Sequence, residues 1–451
     1  MKKSSNKAIV MGGSIAGILS ARVLSDFFDE VIIIEKDKQS SFFEKRKSVP
    51  QGAHLHVVLD GGLKIFDEFF PNFSKYLEAK GSILVDSQND VAWYHFGVWK
   101  TRYKSSLKAS FQSRPFLEYH LRNKLFEQCS NVKMIDSSNI VGIEYRSTDN
   151  RIIGVKIENN IIYGDFIVDA TGRTSLSYKW LEECGIEIPK EERIKIGMGY
   201  TSMLFRPNDK YLNGYNWNAL FVYPYAPNNT KYGAVIPIEK DKIGKRYMVA
   251  LSGALNDHAQ RDKNGFLNHA KLLANDEIYH FIKQSTPISE FSYFKSPENI
   301  RRYYEKLQNP PHGIIAIGDT ITVVNPIYGQ GMTVIALEAK ALQKSLQKGL
   351  KNIEKRYYKK ITPIINIAWD VTSGEDLRYQ QVKGNRSLKL RFQNVYSKQL
   401  FILSGSNQKI WHTFAQVLHF VKHPLNIFQP YIVFHVIKSI IFKNTQDKGK
   451  K

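Results

Sequence analysis

Residues 7–35 read KAIVMGGSIAGILSARVLSDFFDEVIIIE, and this stretch decides the fold class of the chain. The apolar run at residues 8–11 is typical of a buried parallel strand, and a second β-branched run follows at residues 31–34. Between the two runs, small and apolar residues recur at helical spacing. The stretch therefore predicts a strand–helix–strand unit with a glycine-rich turn directly after its first strand.

The glycine-rich turn has the composition of a dinucleotide-binding loop, with serine at position 14 where the usual fingerprint has glycine. Gly12 permits a tight exit from the strand, and Gly17 lets the helix pack closely on the sheet. A small residue at position 14 leaves backbone N–H groups free to approach a pyrophosphate. Glu35 ends the second strand, where a carboxylate accepts ribose hydroxyls and disfavours a 2′-phosphate. The cofactor contacts expected here are Gly12, Gly13, Ser14, Ile15, Ala16, Gly17 and Glu35.

Two later segments each follow an apolar strand and narrow the choice of cofactor. The first is Asp169–Ala170–Thr171–Gly172–Arg173, and the second runs from Gly318–Asp319 to Asn325–Pro326–Ile327–Tyr328–Gly329–Gln330–Gly331–Met332. An acidic residue at a strand end can bind a ribityl hydroxyl, and the glycines bring a helix N-terminus close to a flavin ring. We therefore expect FAD. The contacts expected from these segments are Asp169, Gly172, Asp319, Pro326, Gly329, Gln330, Gly331 and Met332.

In this order the three segments resemble those of the p-hydroxybenzoate-hydroxylase superfamily of FAD proteins, over about residues 7–345. A closer resemblance is to the bacterial branch that includes polyether-type flavin epoxidases. It lies in Val49–Pro50–Gln51–Gly52–Ala53–His54–Leu55–His56 and in Ala368–Trp369 followed by Gly374–Glu375–Asp376–Leu377–Arg378. The resemblance implies that Arg114 reaches the FAD and that Arg46, Gln51 and one of the two histidines lie near the flavin.

The resemblance also implies an α/β fold with three parts: a Rossmann-like FAD-binding domain, a mixed-sheet substrate domain and a helical C-terminal extension. The alternating strand patterns of residues 195–255 fit an antiparallel sheet against the flavin. Its candidate substrate-wall residues are Phe205, Trp217, Phe221, Tyr223 and Tyr225. The expected division is an FAD-binding domain at 1–80, 113–180 and 301–350, substrate-side strands at 81–112, a substrate-binding sheet domain at 181–300 and the helical extension at 351–451.

Composition excludes several other classes of protein. The formal net charge is +22, but the Lys and Arg clusters are scattered, so we expect no nucleic-acid partner. His54 and His56 lack a third ligand, and Cys129 and Cys184 stand apart without a CxxC, so we expect no metal site. There is no run of 18 apolar residues that would span a membrane. We expect a cytoplasmic protein, with a location peripheral to the inner face of the membrane as the alternative.

The leading hypothesis is an FAD-dependent monooxygenase that hydroxylates or epoxidises a hydrophobic small molecule through a flavin hydroperoxide. Only one dinucleotide-binding turn is present, so NAD(P)H would bind transiently or a separate flavin reductase would supply electrons. No catalytic residue is assigned, because the cofactor carries the chemistry. GxSxG, HExxH and Walker motifs are absent, as is the WxWxIP signature of flavin halogenases.

Two alternatives stay open: an FAD-dependent reductase of isoprenoid-type double bonds, and a non-catalytic, membrane-associated FAD-binding protein. The C-terminal stretch Trp411–Phe442 is rich in apolar and aromatic residues with interspersed cations. We expect it to cap the catalytic domain, with a peripheral membrane contact through these helices as the alternative.

Overall fold

The computed structural model describes residues 6–40, 42–44, 46–208, 210 and 214–448. The outermost residues of the expected first and last domains, 1–5 and 449–451, lie outside the described residues. The division of the chain into domains stays a prediction. The parallel sheet, the mixed sheet and the helical region are described in turn.

Five strands form a wholly parallel sheet around the glycine turn. These strands are β1 (Lys7–Met11), β2 (Glu30–Ile34), β8 (Val132–Ile135), β12 (Phe166–Asp169) and β19 (Ile314–Ala316). Their order across the sheet is β19–β12–β1–β2–β8. Helix α1 (Ile15–Leu24) joins β1 to β2, which pair from Lys7–Glu30 to Met11–Ile34. The expected strand–helix–strand unit is therefore confirmed.

Eleven further α-helices lie within the described residues. They are α2 (Asp60–Phe69), α3 (Phe73–Lys80), α4 (Arg114–Gln128), α5 (Ser177–Glu183), α6 (Lys263–Lys271), α7 (Glu277–Lys283), α8 (Gly331–Leu346), α9 (Ile353–Asp376), α10 (Leu388–Leu403), α11 (Gln408–Leu418) and α12 (Pro430–Lys448). The last four confirm a helical C-terminal region. None of the helices in the described part of the chain is long and apolar enough to cross a membrane.

The central strand β1 is buried on both faces, which explains its uninterrupted apolar sequence. Ala8 and Val10 pack into the core formed with α1, α2, α4 and α8. Ile9 and Met11 point the opposite way, because successive side chains alternate along a strand. They pack on a three-stranded antiparallel sheet with the order β11–β10–β9, made of β9 (Ile140–Arg146), β10 (Arg151–Ile157) and β11 (Asn160–Tyr163).

A nine-stranded mixed sheet forms the second large layer. Its strands are β5 (Val91–His95), β6 (Val98–Trp99), β13 (Glu191–Pro207), β14 (Ala219–Val222), β15 (Lys231–Ile238), β16 (Arg246–Gly253), β17 (Ser285–Pro287), β18 (Ser292–Arg302) and β20 (Thr322–Val323). Their order is β20–β18–β13–β16–β15–β14–β5–β6, with β17 also paired to β13. All pairs are antiparallel except β5–β14, so the expected mixed sheet is confirmed.

The two faces of the mixed sheet have different surroundings. Val235 and Leu251 pack against α6 and α7 in one apolar core. Their neighbours Ala234 and Ser252 line a cavity on the opposite face. A smaller antiparallel sheet, β3 (Val57–Leu59), β7 (Lys108–Phe111) and β4 (Ile83–Asp86), packs beside this sheet in the order β3–β7–β4.

Substitution of Gly17 by alanine tests the packing of the first turn. A methyl group at this position would lie 1.8 Å from the Gly12 carbonyl oxygen, and neither backbone can move without disturbing β1. We expect Gly17→Ala to destabilise the fold by about 3 kcal/mol or more, at or beyond the upper end for overpacked cores. Thermal unfolding measures the change. The matched variant Gly331→Ala adds a methyl group with no atom within 4 Å and keeps the wild-type Tm; equal losses in both variants would contradict the packing argument.

Candidate active site

The first turn presents free backbone donors at the carboxyl end of β1. Gly12 has a φ of +98°, and a Cβ at this residue would lie 2.7 Å from the carbonyl oxygen of Ala170 in the turn after β12. Ser14 precedes α1 but makes no capping hydrogen bond to it, and the first turn of α1 contains no acidic residue. The N–H groups at the start of α1 and the helix dipole are therefore available to an anionic group.

Glu35 lies against this turn, as expected. Its Oε2 accepts a 2.8 Å hydrogen bond from the Gly13 N–H, and its Oε1 accepts one from the Asp37 N–H at 3.0 Å. The Nη1 of Arg46 lies 2.9 Å from the same Oε2. The structure thus brings Glu35, Gly13 and Arg46 together at the edge of the turn.

Glu118 of α4 joins the two arginines that the resemblance singled out. Its Oε2 accepts from Arg46 Nη2 at 2.8 Å, and its Oε1 accepts from Arg114 Nε at 2.6 Å and from Ser14 Oγ at 2.6 Å. Burial raises the pKa of Glu118, but Arg114 and Arg46 outweigh burial and hold this pKa at about 2. Sequence reasoning missed Glu118; its position four residues after Arg114 on a helix was the available signal.

Asp169 and Gly172 hold the second segment in shape. Asp169 accepts hydrogen bonds from the Thr171 N–H at 2.9 Å and from Ser175 Oγ at 2.6 Å, so its carboxylate is used by its own turn. Gly172 has a φ of +79° and donates its N–H to Thr320 Oγ1 at 2.9 Å. The second and third segments are therefore in direct contact.

Asp319 lies where these two segments meet. A Cβ added to Gly172 would lie 3.8 Å from the Cβ of Asp319. Burial raises the pKa of Asp319, while Arg173 and Arg114 act in the opposite direction. The preceding Gly318 donates its N–H to the buried Glu338 of α8 at 2.7 Å. Burial raises the pKa of Glu338 to about 8, so this carboxyl group is mostly protonated at neutral pH. Glu338 is a second buried residue that sequence reasoning missed.

The third segment ends at the N-terminus of α8. Gly329 has a φ of +66°, and a Cβ there would lie 2.7 Å from Val57. The side chain of Gln330 is buried, and its Oε1 has no hydrogen-bond partner among the described residues. Gly331 faces open space, since a Cβ there would have no atom within 4 Å. The side chain of Met332 packs in the apolar core, so the contact that we expect between this residue and the cofactor would involve its backbone.

A buried hydrogen-bond network holds this segment against the mixed sheet. Asn325 accepts from Tyr200 OH at 2.6 Å and donates to Asp376 at 3.2 Å. Asp376 also accepts from Asn299 at 2.7 Å, and burial raises its pKa to about 7. Tyr223 OH donates to the carbonyl of Ile327 in the same segment. The network places Pro326 and Ile327 at the wall of a cavity.

Gln51 and the two histidines lie at this wall as well. His54 Nδ1 is 2.7 Å from Ser202 Oγ, and His56 Nδ1 is 2.8 Å from the His54 carbonyl. Burial, followed by the charge of Arg114, lowers the pKa of His56 to about 3, so His56 is neutral. Within the described residues, no group of three or more His, Cys, Asp or Glu side chains is arranged to hold a metal ion.

Two adjoining cavities lie between the third segment and the mixed sheet. The first, about 560 Å³, is lined by Gln51, both histidines and Pro326; the second, about 940 Å³, is lined by Gly329 and Gln330. They share the wall residues Leu55, Phe221, Tyr223 and Ile327. Of the expected wall residues, Phe221 and Tyr223 therefore line the cavities. Phe205 and Trp217 pack with α6 and α7 on the opposite face, and Tyr225 packs against Phe96.

Aromatic side chains and the C-terminal helices close the second cavity. Phe401 of α10 and Trp411 of α11 lie opposite Trp93 and His95 of β5. The ring centroid of His95 is 4.4 Å from that of Phe401, and His95 Nδ1 has no hydrogen-bond partner among the described residues. Burial, with Lys100 and Arg378 acting in the same direction, lowers the pKa of His95 well below its ordinary value. His95 is thus a neutral polar group in an apolar cavity, and no sequence pattern marked it.

Replacement of Glu118 by glutamine tests the charge cluster. Removing one partner leaves the buried Arg46 and Arg114 short of counter-charge, so we expect the free energy of unfolding to fall by about 3–5 kcal/mol at neutral pH. Because folding lowers the pKa of Glu118, this stabilisation is complete above about pH 4.5 and disappears as the pH falls towards about 2.

Urea unfolding of both proteins across this pH range measures the difference. Glu127→Gln provides the control on the same helix, since Glu127 is exposed and pairs with Lys124 at the surface. A Glu118→Gln effect that does not change between neutral and acidic pH would contradict the assignment.

Comparisons with known proteins agree with this architecture. No family model matches the chain. Protein Rv3254 of Mycobacterium tuberculosis (strain ATCC 25618 / H37Rv) is 28% identical over 355 residues, which cover 75% of this chain and 73% of that protein.

Three solved structures share the fold at low sequence identity. The flavin-dependent brominase Bmp2 has a TM-score of 0.68 at 12% identity, covering 97% of this chain and 99% of that chain. 2-Methyl-3-hydroxypyridine-5-carboxylic acid oxygenase has a TM-score of 0.62 at 14% identity, covering 92% and 96%. PqsL, a probable FAD-dependent monooxygenase from Pseudomonas aeruginosa, has a TM-score of 0.59 at 14% identity, covering 83% and 97%. This chain therefore shares the fold of these three proteins, a flavin-dependent brominase, an oxygenase and a probable FAD-dependent monooxygenase.

Proposed function

We propose that this protein is an FAD-dependent monooxygenase that hydroxylates or epoxidises a hydrophobic small molecule. One observation carries the proposal: Gly329 and Gln330, directly before the open N-terminus of α8 at Gly331, line an apolar cavity of about 940 Å³. This juxtaposition is what a flavin ring and an organic substrate require of a shared site.

The residues around the three segments fit FAD. The uncapped N-terminus of α1 suits a pyrophosphate, and Arg114 and Arg46 lie beside it. Glu35 and Asp319 are carboxylates suited to ribose and ribityl hydroxyls. The open space at Gly331 and the unpaired Gln330 Oε1 offer room and a polar partner to a ring. When bound, FAD would supply the redox chemistry that activates oxygen.

The chain's own groups would orient the reactants and exclude water. Tyr223 and the network through Asn325 hold the segment that would face the ring. The N-terminal dipole of α8 would favour negative charge near Gly331. Trp93, Phe401 and Trp411 would bury the substrate, and the neutral His95 would contribute one hydrogen bond to a polar substituent.

The partners are part of the same proposal. NAD(P)H would bind transiently at the surface and reduce the bound flavin, or a separate flavin reductase would reduce it. We also propose a cytoplasmic location, with a peripheral contact between the C-terminal helices and the inner face of the membrane. The individual cofactor contacts expected from the sequence, of which Gly12 is the first and Met332 the last, belong to the same proposal.

Arg114→Ala tests the FAD site. Loss of a charge-assisted hydrogen bond is worth about 1.5–3 kcal/mol, so we expect the Kd for FAD to rise roughly tenfold to a hundredfold. Quenching of flavin fluorescence in a titration of the apoprotein gives the Kd. Arg146→Ala is the control, because Arg146 is exposed and pairs with Asp149 far from the turn. A protein that neither contains nor gains flavin would refute the proposal.

Oxygen consumption separates the monooxygenase from its alternatives. We expect NAD(P)H, alone or with a flavin reductase, to bleach the bound flavin, and a hydrophobic substrate to accelerate oxygen uptake. Each product would then gain one oxygen atom from ¹⁸O₂, as mass spectrometry can show. Anaerobic saturation of a substrate double bond would favour the isoprenoid-type reductase instead. A flavin that no reductant bleaches would favour the non-catalytic alternative.

A further inference from the structure

The C-terminal helices carry an exposed apolar surface that the proposed chemistry does not use. Nine of the nineteen large apolar side chains exposed in the described part of the chain lie between residues 388 and 441. On α10 they are Leu388, Phe392 and Val395, and on α12 they include Phe434, Ile437 and Ile441. We call this surface of α10 and α12, with the intervening turn at residues 424–428, the apolar face.

The apolar face follows the helical repeat, so it is a surface and not a set of scattered side chains. The exposed residues recur at intervals of three and four along both helices, which places them on one stripe per helix. The inner stripes behave differently: Leu400 of α10 and Val436 of α12 are buried in a common core with Trp411. Ser439 of α12 donates to Gln399 of α10 at 2.8 Å, which joins the two helices side by side.

The turn between α11 and α12 continues the apolar face. The ring of Phe428 lies 5.0 Å from that of Tyr396, and the ring of Phe392 lies 5.7 Å from it. Leu425 of the same turn is 68% exposed, and Phe434 on α12 is 62% exposed. Side chains of this size so far in water mark an interaction site.

The charge around the apolar face identifies its partner. From Leu377 to Gln446 the sequence contains no Asp or Glu. The same stretch contains ten basic residues: Arg378, Lys383, Arg386, Lys389, Arg391, Lys398, Lys409, Lys422, Lys438 and Lys443. Lys409 Nζ lies 4.4 Å from the centroid of the Tyr431 ring, so aromatic and cationic groups meet at the border of the face. Two of these cations pair with carboxylates of α9, Arg378 with the buried Glu375 and Lys389 with Asp370. An apolar stripe on a stretch of chain that carries many basic and no acidic residues is complementary to an anionic lipid surface.

A second copy of the chain fits this surface poorly. In a symmetric dimer each face would meet itself, so its basic residues would face basic residues, and the stretch from Leu377 to Gln446 supplies no carboxylate to pair with them. A spanning helix is also absent from the described residues, so contact with a membrane would be parallel to its surface.

We propose that the apolar face docks the protein, in the plane of the interface, on membranes that contain anionic lipids. The proposal makes the membrane contact of the proposed function specific, but it does not depend on FAD chemistry. The inner sides of the same helices supply Phe401 and Trp411 to the wall of the second cavity. Docking therefore brings a cavity for apolar molecules next to the phase in which such molecules dissolve.

Flotation of the full-length protein with vesicles tests the proposal. We expect binding to vesicles of phosphatidylcholine with phosphatidylglycerol, much weaker binding to phosphatidylcholine alone, and a decrease as salt screens the cations. Phe392→Glu combined with Phe434→Glu should weaken the partition coefficient by about tenfold or more, since each Phe loses its insertion. Ile243→Glu combined with Leu272→Glu also replaces two exposed apolar side chains by glutamate, at residues 80% and 61% exposed outside the apolar face, and should bind as the wild type does.

Circular dichroism melts and the FAD Kd of each variant separate loss of docking from loss of fold or of cofactor. Wild-type protein that binds FAD but does not dock overturns this inference and leaves the proposed function intact. Wild-type protein that docks but binds no FAD overturns only the proposed function. Absence of binding to anionic vesicles at low salt contradicts the inference. So does equal binding of the variant with Phe392→Glu and Phe434→Glu. Sedimentation that shows a dimer broken by that variant would assign the face to self-association instead.

Discussion

The close approach of α1 to β1 is the constraint on which the rest of the structure depends. Only a glycine fits at position 17, because a methyl group there would lie 1.8 Å from the carbonyl oxygen of Gly12. Because the helix starts so near the strand, its N-terminus opens at the carboxyl edge of the parallel sheet. The turns after β12 and β19 end at the same edge, which brings all three sequence segments to one site.

Buried carboxyl groups around this edge take two different charge states. Glu118 stays ionised because two arginines face it, and its pKa is about 2. Glu338 and Asp376 have only neutral donors, and burial raises their pKa values to about 8 and about 7. Carboxyl groups therefore have two different roles at this edge of the sheet. The ionised Glu118 balances the arginines beside the turn. At neutral pH Glu338 is mostly protonated and accepts from the backbone of Gly318, and Asp376 is about half protonated and accepts from the side chain of Asn325.

The C-terminal helices connect the two proposals of chemistry and location. Their inner sides close the larger cavity, and their outer sides expose the apolar face. The wall of this cavity is therefore no thicker than one layer of helices. If both proposals hold, the same helices would determine what can enter the site and which surface the protein binds.

The sequence by itself determined the features that depend on neighbouring residues. The turn at Gly12–Gly17, its helix and the strand that ends at Glu35 follow from residue type and spacing, because backbone freedom and helical or strand periodicity are local properties. The ordered segments at Asp169 and Gly318 predicted the fold class through their resemblance to the motifs of a known family. The helical character of the C-terminal region also followed from pattern alone.

Only the tertiary structure decided which side chains meet across the chain. It paired Glu118 with Arg46, 72 residues away, and it turned Asp169 towards its own loop. It also put Phe221 in the cavity wall but Phe205 on the opposite face of the sheet, a choice that depends on strand register. Trp411, expected in a cap, lines the cavity, while Phe434 of the same stretch faces solvent. Such outcomes depend on packing between distant elements, and a linear pattern does not contain that information.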